Sequence, residues 1–187
     1  MKMAYIKTIE YEESEGELKE IYNSLISSRG KLADVHKVQS LNPASIVSHM
    51  KLYMDIMFGQ SPLKRYQREM MAVVVSAVNQ CEYCLRHHSE ALLNFWRDET
   101  RIHLLVREPD RANLSHEDHA LCQFARDLTV NPELSTRQKT ESLKALGLSD
   151  RAVLDATLVI AYFNFVNRIV LGLGLEIKEE ELRGYKY

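Results

Sequence analysis

The chain has 187 residues, a net charge of -2 and three cysteines. This length suggests a single domain, 1–187, that can bury a core without disulfides or metals. No basic block indicates a nucleic-acid partner, no acidic tail indicates disorder, and three cysteines do not make a disulfide scaffold.

The apolar segments of the chain are short. The N-terminus, MKMAYIKTIEYEE, lacks the apolar region of a secretory signal. The longest apolar stretches, AVVVSAV and LVIAYFNFV, are far shorter than the ~20 residues needed to cross a bilayer. We therefore expect a soluble, cytoplasmic protein with no membrane partner.

Helix-start and helix-end signals alternate along the sequence. Helix starts are predicted at Ser14, Asn42-Pro43, Ser61-Pro62, Ser115, Ser135 and Ser149, and helix ends at Gly30, Gly59 and Gly147. No stretch shows the period-two alternation of a strand, and VVV at 73–75 lies inside a longer window with helical spacing. The pattern predicts an all-α fold of about eight helices.

The pair of cysteines in NQCEYCLRHHSE says most about function. If the helix from Pro62 ends near Gln80, Cys81 and Cys84 lie in the first turn of the next helix, where unpaired N–H groups and the helix dipole favour a thiolate. At this spacing the two residues share a face and can close a disulfide. Without a secretory signal, such a pair indicates redox chemistry or metal binding.

Two residues near the cysteines can move protons. His88 follows Cys84 by four residues on the same helical face, so its imidazole can reach the sulfur. Glu69 precedes Cys81 by twelve residues and would fold back beside it in an antiparallel hairpin, as a candidate proton acceptor. The neighbouring His87 points to a different face, and we expect it to be exposed.

Other readings of the motif stay open. C-x-x-C-x-x-x-H offers three zinc ligands, with Cys122 or another histidine as the fourth, although structural zinc usually takes its ligands from short loops. Cys122 itself falls on an apolar helical face and is predicted to be core. An inert pair is also possible, whereas helical flanks argue against a thioredoxin fold. Asn164, Asn167 and Arg168 either line the same cavity or pair helices, and we favour the second role.

Glu69, the C-x-x-C twelve residues later and His88 together resemble the alkyl hydroperoxidase D-like (AhpD-like) group of the carboxymuconolactone decarboxylase superfamily. AYFNFVNRIVLGLGLE resembles the C-terminal segment of its uncharacterised peroxidase-related branch, and QSLNPA also fits, so that the resemblance covers most of residues 35–178. It implies an AhpD-like helical fold with the C-x-x-C at the N-terminus of a central helix. It also implies a homo-oligomer, commonly a trimer or hexamer, with a dimer possible.

The resemblance further implies a thiol peroxidase that needs no cofactor and no metal. Cys84 would attack a hydroperoxide and become a sulfenic acid, and Cys81 would resolve it as a disulfide. Glu69 and His88 would form the proton relay, and a dithiol reductant of unknown identity would restore the thiols.

One position departs from the family pattern. The founding peroxidase has a histidine immediately before the second cysteine, where this chain has Tyr83. A phenol with a pKa of about 10 is a poor base, so the relay would be slower, would run through water or would serve another reaction. We predict a peroxidase that reduces hydroperoxides. The alternatives are a dithiol–disulfide oxidoreductase or redox sensor, and a non-enzymatic zinc-binding protein.

Overall fold

The computed structural model describes residues 4–134 and 137–182. In these ranges the chain forms nine α-helices, eight of them long, and no β-strand. The helices are α1 (Gly16–Arg29), α2 (Asp34–Lys37), α3 (Pro43–Phe58), α4 (Arg65–Val78), α5 (Glu82–Trp96), α6 (Glu99–Arg107), α7 (His116–Val130), α8 (Arg137–Ala145) and α9 (Asp150–Leu173). The all-α prediction is confirmed, and the four-residue α2 is the helix beyond the eight expected.

Several predicted helix boundaries coincide with the structure. Pro43 is the first residue of α3. Ser115 and Ser149 cap α7 and α9, and each side chain accepts a hydrogen bond from the backbone N–H three residues further on. Gly30 ends α1 with a φ of 80°, which L side chains rarely adopt. Ser135, another predicted start, lies outside the described residues.

The predictions for Ser14 and Ser61 are wrong. α1 begins two residues after Ser14, whose hydroxyl donates to a carbonyl of the preceding 3-10 turn. α4 begins four residues after Ser61, whose hydroxyl donates to Asp155 of α9 at 2.5 Å. Because a hydroxyl can bond to another part of the chain instead of its own helix end, sequence spacing misplaces these starts.

α4 lies at the centre of the fold and packs against α5, α7 and α9. Residues 67–76 of this helix are all buried. α5 follows after a three-residue turn and runs back along α4, which brings Glu69 opposite His88. The run MMAVVV is therefore helical, as the spacing predicted, and the structure adds that it is buried on every side.

The segment after α9 returns to the first half of the chain. The backbone N–H of Asp34, at the start of α2, donates to the Glu181 carboxylate at 2.8 Å. Lys178 forms an ion pair with Asp34 at 2.7 Å, and Arg86 of α5 forms one with Glu179 at 2.5 Å. These contacts hold the end of the described chain against α2 and α5.

One described helix, α9, is long and apolar enough to cross a membrane by length and composition. Sequence inspection did not expect such a helix, because polar residues divide its apolar runs. Within its most apolar window 44% of the residues are buried in the protein. A core helix passes the same test, so one helix of this kind is weak evidence for a membrane span, and the cytoplasmic location stays a prediction.

Candidate active site

The turn between α4 and α5 positions both cysteines of the motif. Cys81 is the N-cap residue of α5, and its backbone N–H donates to the carbonyl of Ser76 at 2.9 Å. Cys84 lies in the first turn of the same helix. Both are free thiols and both are buried, at 0% and 3% exposure. The structure thus places the dithiol at the helix N-terminus, where the spacing predicted it.

The two thiols are hydrogen-bonded to each other. The thiol and the backbone N–H of Cys84 both donate to the Cys81 sulfur, and they hold the pKa of Cys81 below its ordinary value although burial acts in the opposite direction. The pKa of Cys84 is raised well above its ordinary value, because its proton is held by Cys81 and because it is buried. When the pair loses its first proton, the negative charge is therefore on Cys81 and the remaining proton is on Cys84.

A cavity of about 100 Å³ opens beside Cys84. Side chains from α2, α3, α5 and α9 and from the loop after α1 form its wall, and many of them are aromatic or imidazole rings: His36, His49, Tyr53, Tyr83, His87, His88, Tyr162 and Phe163. Cys84 lines this cavity and Cys81 does not. A small molecule in this cavity would therefore lie against Cys84.

Glu69 and His88 meet across the hairpin. The spacing predicted that Glu69 would fold back along the next helix, but placed it beside Cys81, and the contact found is with His88. One Glu69 oxygen lies 2.6 Å from His88 Nδ1, and the other lies 2.6 Å from Arg65. Burial alone would raise the pKa of Glu69, but His88 and Arg65 together lower it. Because Glu69 engages Nδ1, the Nε2 edge of His88 is left for the cavity that this residue lines.

The Tyr83 hydroxyl joins α5 to the C-terminal segment. It donates to the Glu181 carboxylate and accepts a hydrogen bond from the Val35 N–H of α2 at 3.3 Å. Burial raises the pKa of Glu181. The ring of Tyr83 lines the cavity, but the hydroxyl that a proton relay would use is engaged by these two groups.

The prediction that His87 is exposed is wrong. Its side chain is 14% exposed, and its Nδ1 lies 2.8 Å from the Tyr83 carbonyl oxygen. Its ring stacks on Tyr83 with the centroids 4.5 Å apart. Burial lowers the pKa of His87 to about 4, so the ring is neutral at pH 7. The cover comes from the C-terminal segment, whose Glu181 lies 4.0 Å away, and helical spacing within α5 cannot reveal it.

Sequence reasoning missed a buried polar group in the wall of the cavity. His49 Nε2 lies 2.7 Å from the Tyr162 hydroxyl, and Gln39 Nε2 lies 2.9 Å from His49 Nδ1. Burial lowers the pKa of His49 to about 4 and raises that of Tyr162 well above its ordinary value. The only signal in the sequence is a histidine among the apolar residues of α3.

Asn167 pairs helices, which is the role favoured for it. It is fully buried, its amide donates to Ser76 Oγ at 3.3 Å, and its oxygen accepts from Asn79 at 3.0 Å. It also hydrogen-bonds to Cys84, which lowers the pKa of this thiol against the larger raising effects of Cys81 and burial. Asn164 bonds to the same Asn79 at 3.0 Å and so pairs helices.

Among residues 4–134 and 137–182, no group of three or more His, Cys, Asp or Glu side chains is placed to hold a metal ion. Cys122, which the zinc alternative named, is buried at a second cavity between α4, α5, α6 and α7. Burial raises the pKa of its thiol. Cys122 is thus a core residue, as predicted.

Sequence comparisons find one matching family and a bacterial relative. Residues 49–127 match the carboxymuconolactone decarboxylase family. An uncharacterised protein of Bacillus subtilis (strain 168), YdfG, is 25% identical over 127 residues, which are 67% of this chain and 86% of the relative. Similarity to YdfG gives no function, because that protein is itself uncharacterised.

Solved structures share the fold over most of the chain. A peroxidase-related protein from Silicibacter sp. TM1040 is 25% identical with a TM-score of 0.81, covering 97% of this chain and 93% of that one. An AhpD-core protein from Ralstonia eutropha JMP134 is 19% identical with a TM-score of 0.86, covering 97% and 96%. The debrominase Bmp8, solved with 2,3,4-tribromopyrrole, is 17% identical with a TM-score of 0.74, covering 88% and 87%.

The all-α architecture matches the AhpD-like fold. The family match over residues 49–127 and the peroxidase-related structural neighbours support assignment of the chain to the AhpD-like group of the carboxymuconolactone decarboxylase superfamily.

Proposed function

We propose that the protein is a thiol-dependent peroxidase that reduces a small hydroperoxide through Cys84 and Cys81. The observation that carries this proposal is the hydrogen-bonded dithiol, with one sulfur facing a cavity and with the Glu69–His88 pair beside it. Enzymes and peroxidase-related proteins of the same superfamily support this class of chemistry.

The first step is the loss of a proton from the thiol pair. The charge rests first on Cys81, and transfer of the shared proton from Cys84 to Cys81 moves the thiolate to the cavity side. His88 accepts the proton that leaves the pair. Glu69 then stabilises the resulting imidazolium and keeps the ring in its orientation.

The Cys84 thiolate then attacks one oxygen of the hydroperoxide. An S–O bond forms, the O–O bond breaks, and the leaving oxygen takes a proton and departs as an alcohol or water. Cys81 attacks the Cys84 sulfur, which forms the disulfide and releases the sulfenic oxygen as water. A dithiol reductant restores both thiols by exchange, so two electrons pass from the reductant to the hydroperoxide in each cycle.

The test is to mix the reduced protein with excess tert-butyl hydroperoxide and to map the products by mass spectrometry. We expect rapid formation of a Cys81–Cys84 disulfide. Cys84→Ser should abolish the reaction, and Cys81→Ser should stop at a sulfenic acid that dimedone traps. Cys122→Ser is the matched control, because this thiol lies outside the site and its loss should leave the rate unchanged. Slow oxidation of all cysteines alike would refute the proposal.

A dithiol–disulfide oxidoreductase acting on other proteins is the weaker alternative. Both sulfurs are nearly inaccessible, at 0% and 3% exposure, and the cavity of about 100 Å³ admits only a small molecule. A protein disulfide would need the wall of the cavity to open. If the reduced protein reacted faster with a protein disulfide than with a hydroperoxide, this alternative would become the preferred function.

Reductive debromination is a second candidate. Aromatic rings of Tyr53, Tyr162 and Phe163 line the cavity, and a flat halogenated ring would stack against such a wall. The dithiol would supply two electrons, replacing bromine by hydrogen and releasing bromide while the disulfide forms. Bromide release from 2,3,4-tribromopyrrole, the molecule bound to Bmp8, tests this activity directly.

A further inference from the structure

Tyr162 lies in the wall of the cavity that Cys84 and His88 also line. It is 5% exposed and projects from α9 among the rings of His49, Tyr53 and Phe163. Burial raises its pKa well above the ordinary value, and Tyr53 and a charge on Cys84 act in the same direction. No step described so far uses this hydroxyl.

A chain of hydrogen bonds fixes the orientation of the buried histidine next to it. The Gln39 amide donates to the carbonyl oxygen of Val35 at 2.7 Å, which identifies the amide group that faces this region as NH₂. The second proton of the same NH₂ points to His49 Nδ1 at 2.9 Å. His49 Nδ1 is therefore the acceptor in this pair.

This orientation determines the tautomer of His49. A neutral imidazole carries one proton, and with Nδ1 as an acceptor that proton is on Nε2. The His49 ring is neutral at pH 7 because burial lowers its pKa to about 4. His49 Nε2–H thus donates to the Tyr162 oxygen at 2.7 Å, and the phenol keeps its own proton for an acceptor other than His49.

Reduction of a hydroperoxide needs a proton on the side of the leaving oxygen. An alkoxide or hydroxide is a strong base, since the pKa of water is roughly 16, and its departure is slow without a donor. We propose that Tyr162 is a catalytic residue that gives its proton to the leaving oxygen, while His49 and Gln39 are positioning residues that hold the phenol as a donor. This role rests on the peroxidase activity proposed above.

The atoms balance in this step. The Cys84 thiolate forms the S–O bond, the O–O electron pair stays on the leaving oxygen, and that oxygen takes the Tyr162 proton to become an alcohol. The phenolate that remains is stabilised by the His49 N–H and regains a proton from solvent as the product leaves. One proton leaves the thiol pair and one proton reaches the product. The Cys84 sulfur supplies the two electrons that reduce the O–O bond, so this step needs no other oxidant or reductant.

The test compares two oxidants that differ in their leaving group. tert-Butyl hydroperoxide releases a strongly basic alkoxide, whereas peracetic acid releases acetate, which leaves without a proton donor. In Tyr162→Phe we expect the rate with tert-butyl hydroperoxide to fall ~10²-fold, the lower end for loss of a general acid, and the rate with peracetic acid to change little. Alkylation by iodoacetamide should be unchanged, because thiolate formation does not involve the phenol.

Two further variants separate catalysis from packing. His49→Leu should show the same selective loss, and His49→Gln, which keeps an N–H donor, should recover part of the rate. Tyr22→Phe is the matched control, since its hydroxyl is buried and bonds to the Ile9 carbonyl at 2.9 Å outside the cavity.

The outcomes are distinct. An equal loss with both oxidants, or no loss with either, overturns the role of Tyr162. If Tyr162→Phe does not fold, the solvent deuterium isotope effect on the wild-type rate is measured instead. An isotope effect with tert-butyl hydroperoxide but not with peracetic acid supports the role of Tyr162, and equal effects with the two oxidants contradict it. Wild-type protein that reacts with tert-butyl hydroperoxide no faster than free cysteine refutes the peroxidase itself, and the role of Tyr162 with it.

Discussion

Glu69→Gln isolates the contribution of one buried charge to the proposed reaction. Glu69 is fully buried, and its two oxygens lie 2.6 Å from His88 and 2.6 Å from Arg65. Glutamine has almost the same shape, and its oxygen can still accept the His88 Nδ1–H, so that the ring keeps its orientation. What the substitution removes is the negative charge opposite the imidazolium that forms when His88 takes a proton.

The size of the effect follows from the distance. Unit charges about 4 Å apart interact by about 4 kcal/mol at an effective dielectric constant of about 20, and relaxation lowers this to about 2–4 kcal/mol. If that energy is lost from the transition state, the rate falls by a factor of ~30 to ~10³. The Arg65 side chain is 19% exposed and can be hydrated, so we expect the variant to stay folded.

The assay is the second-order rate constant for the reduced protein with tert-butyl hydroperoxide, measured together with a thermal melt. Glu108→Gln is the control, because Glu108 forms an ion pair with Arg111 at 2.6 Å on the surface. A variant at Glu69 that is folded and reacts at the wild-type rate would refute the relay. A variant that is slow only because it has unfolded would appear in the melt.

Three other predictions follow from buried groups. Burial lowers the pKa of His49 from 6.5 to about 4. As pH falls from about 6.5 to about 4 the unfolded state therefore binds a proton that the folded state does not, and the free energy of unfolding decreases. The urea midpoint should drop over this pH range, less steeply in His49→Gln. Asn167→Asp puts a carboxylate beside Cys84 and should raise the apparent pKa for iodoacetamide alkylation by about 1 unit or more, whereas Asn164→Asp should shift it less. Tyr83→Phe leaves the buried Glu181 without its phenol partner and should lower the free energy of unfolding by about 1–3 kcal/mol in urea titrations.

Local spacing was enough to predict the first part of the site. The sequence predicts that the helix before the cysteines ends near Gln80. Cys81 and Cys84 must then lie in the first turn of the next helix, which is where the structure has them. The antiparallel hairpin could also be predicted, because a short turn joins the two helices. The partner of Glu69 could not, since Glu69 was expected beside Cys81 and its contact is with His88. The helix start and the hairpin involve residues close together in the sequence, so they depend only on where one helix ends and the next begins.

The rest of the site depends on contacts between distant parts of the chain. Tyr83 and Glu181 are 98 residues apart, and His49 and Tyr162 are 113 residues apart. The pattern of apolar residues in one helix does not predict which other part of the chain will pack against that helix. The burial of His87, which was predicted to be exposed, has this cause, because the group that covers it comes from beyond α9.

The long separation between Tyr83 and Glu181 has a consequence for synthesis in the cell. Translation proceeds at ~5–20 residues per second, so the 98 residues between them take roughly 5–20 s to make. During that time the C-x-x-C helix has been synthesised, but α9 and the segment that covers α5 are still incomplete. The dithiol of the nascent chain is therefore most open to unwanted oxidation before α9 and Glu181 are synthesised, and it is covered only after them.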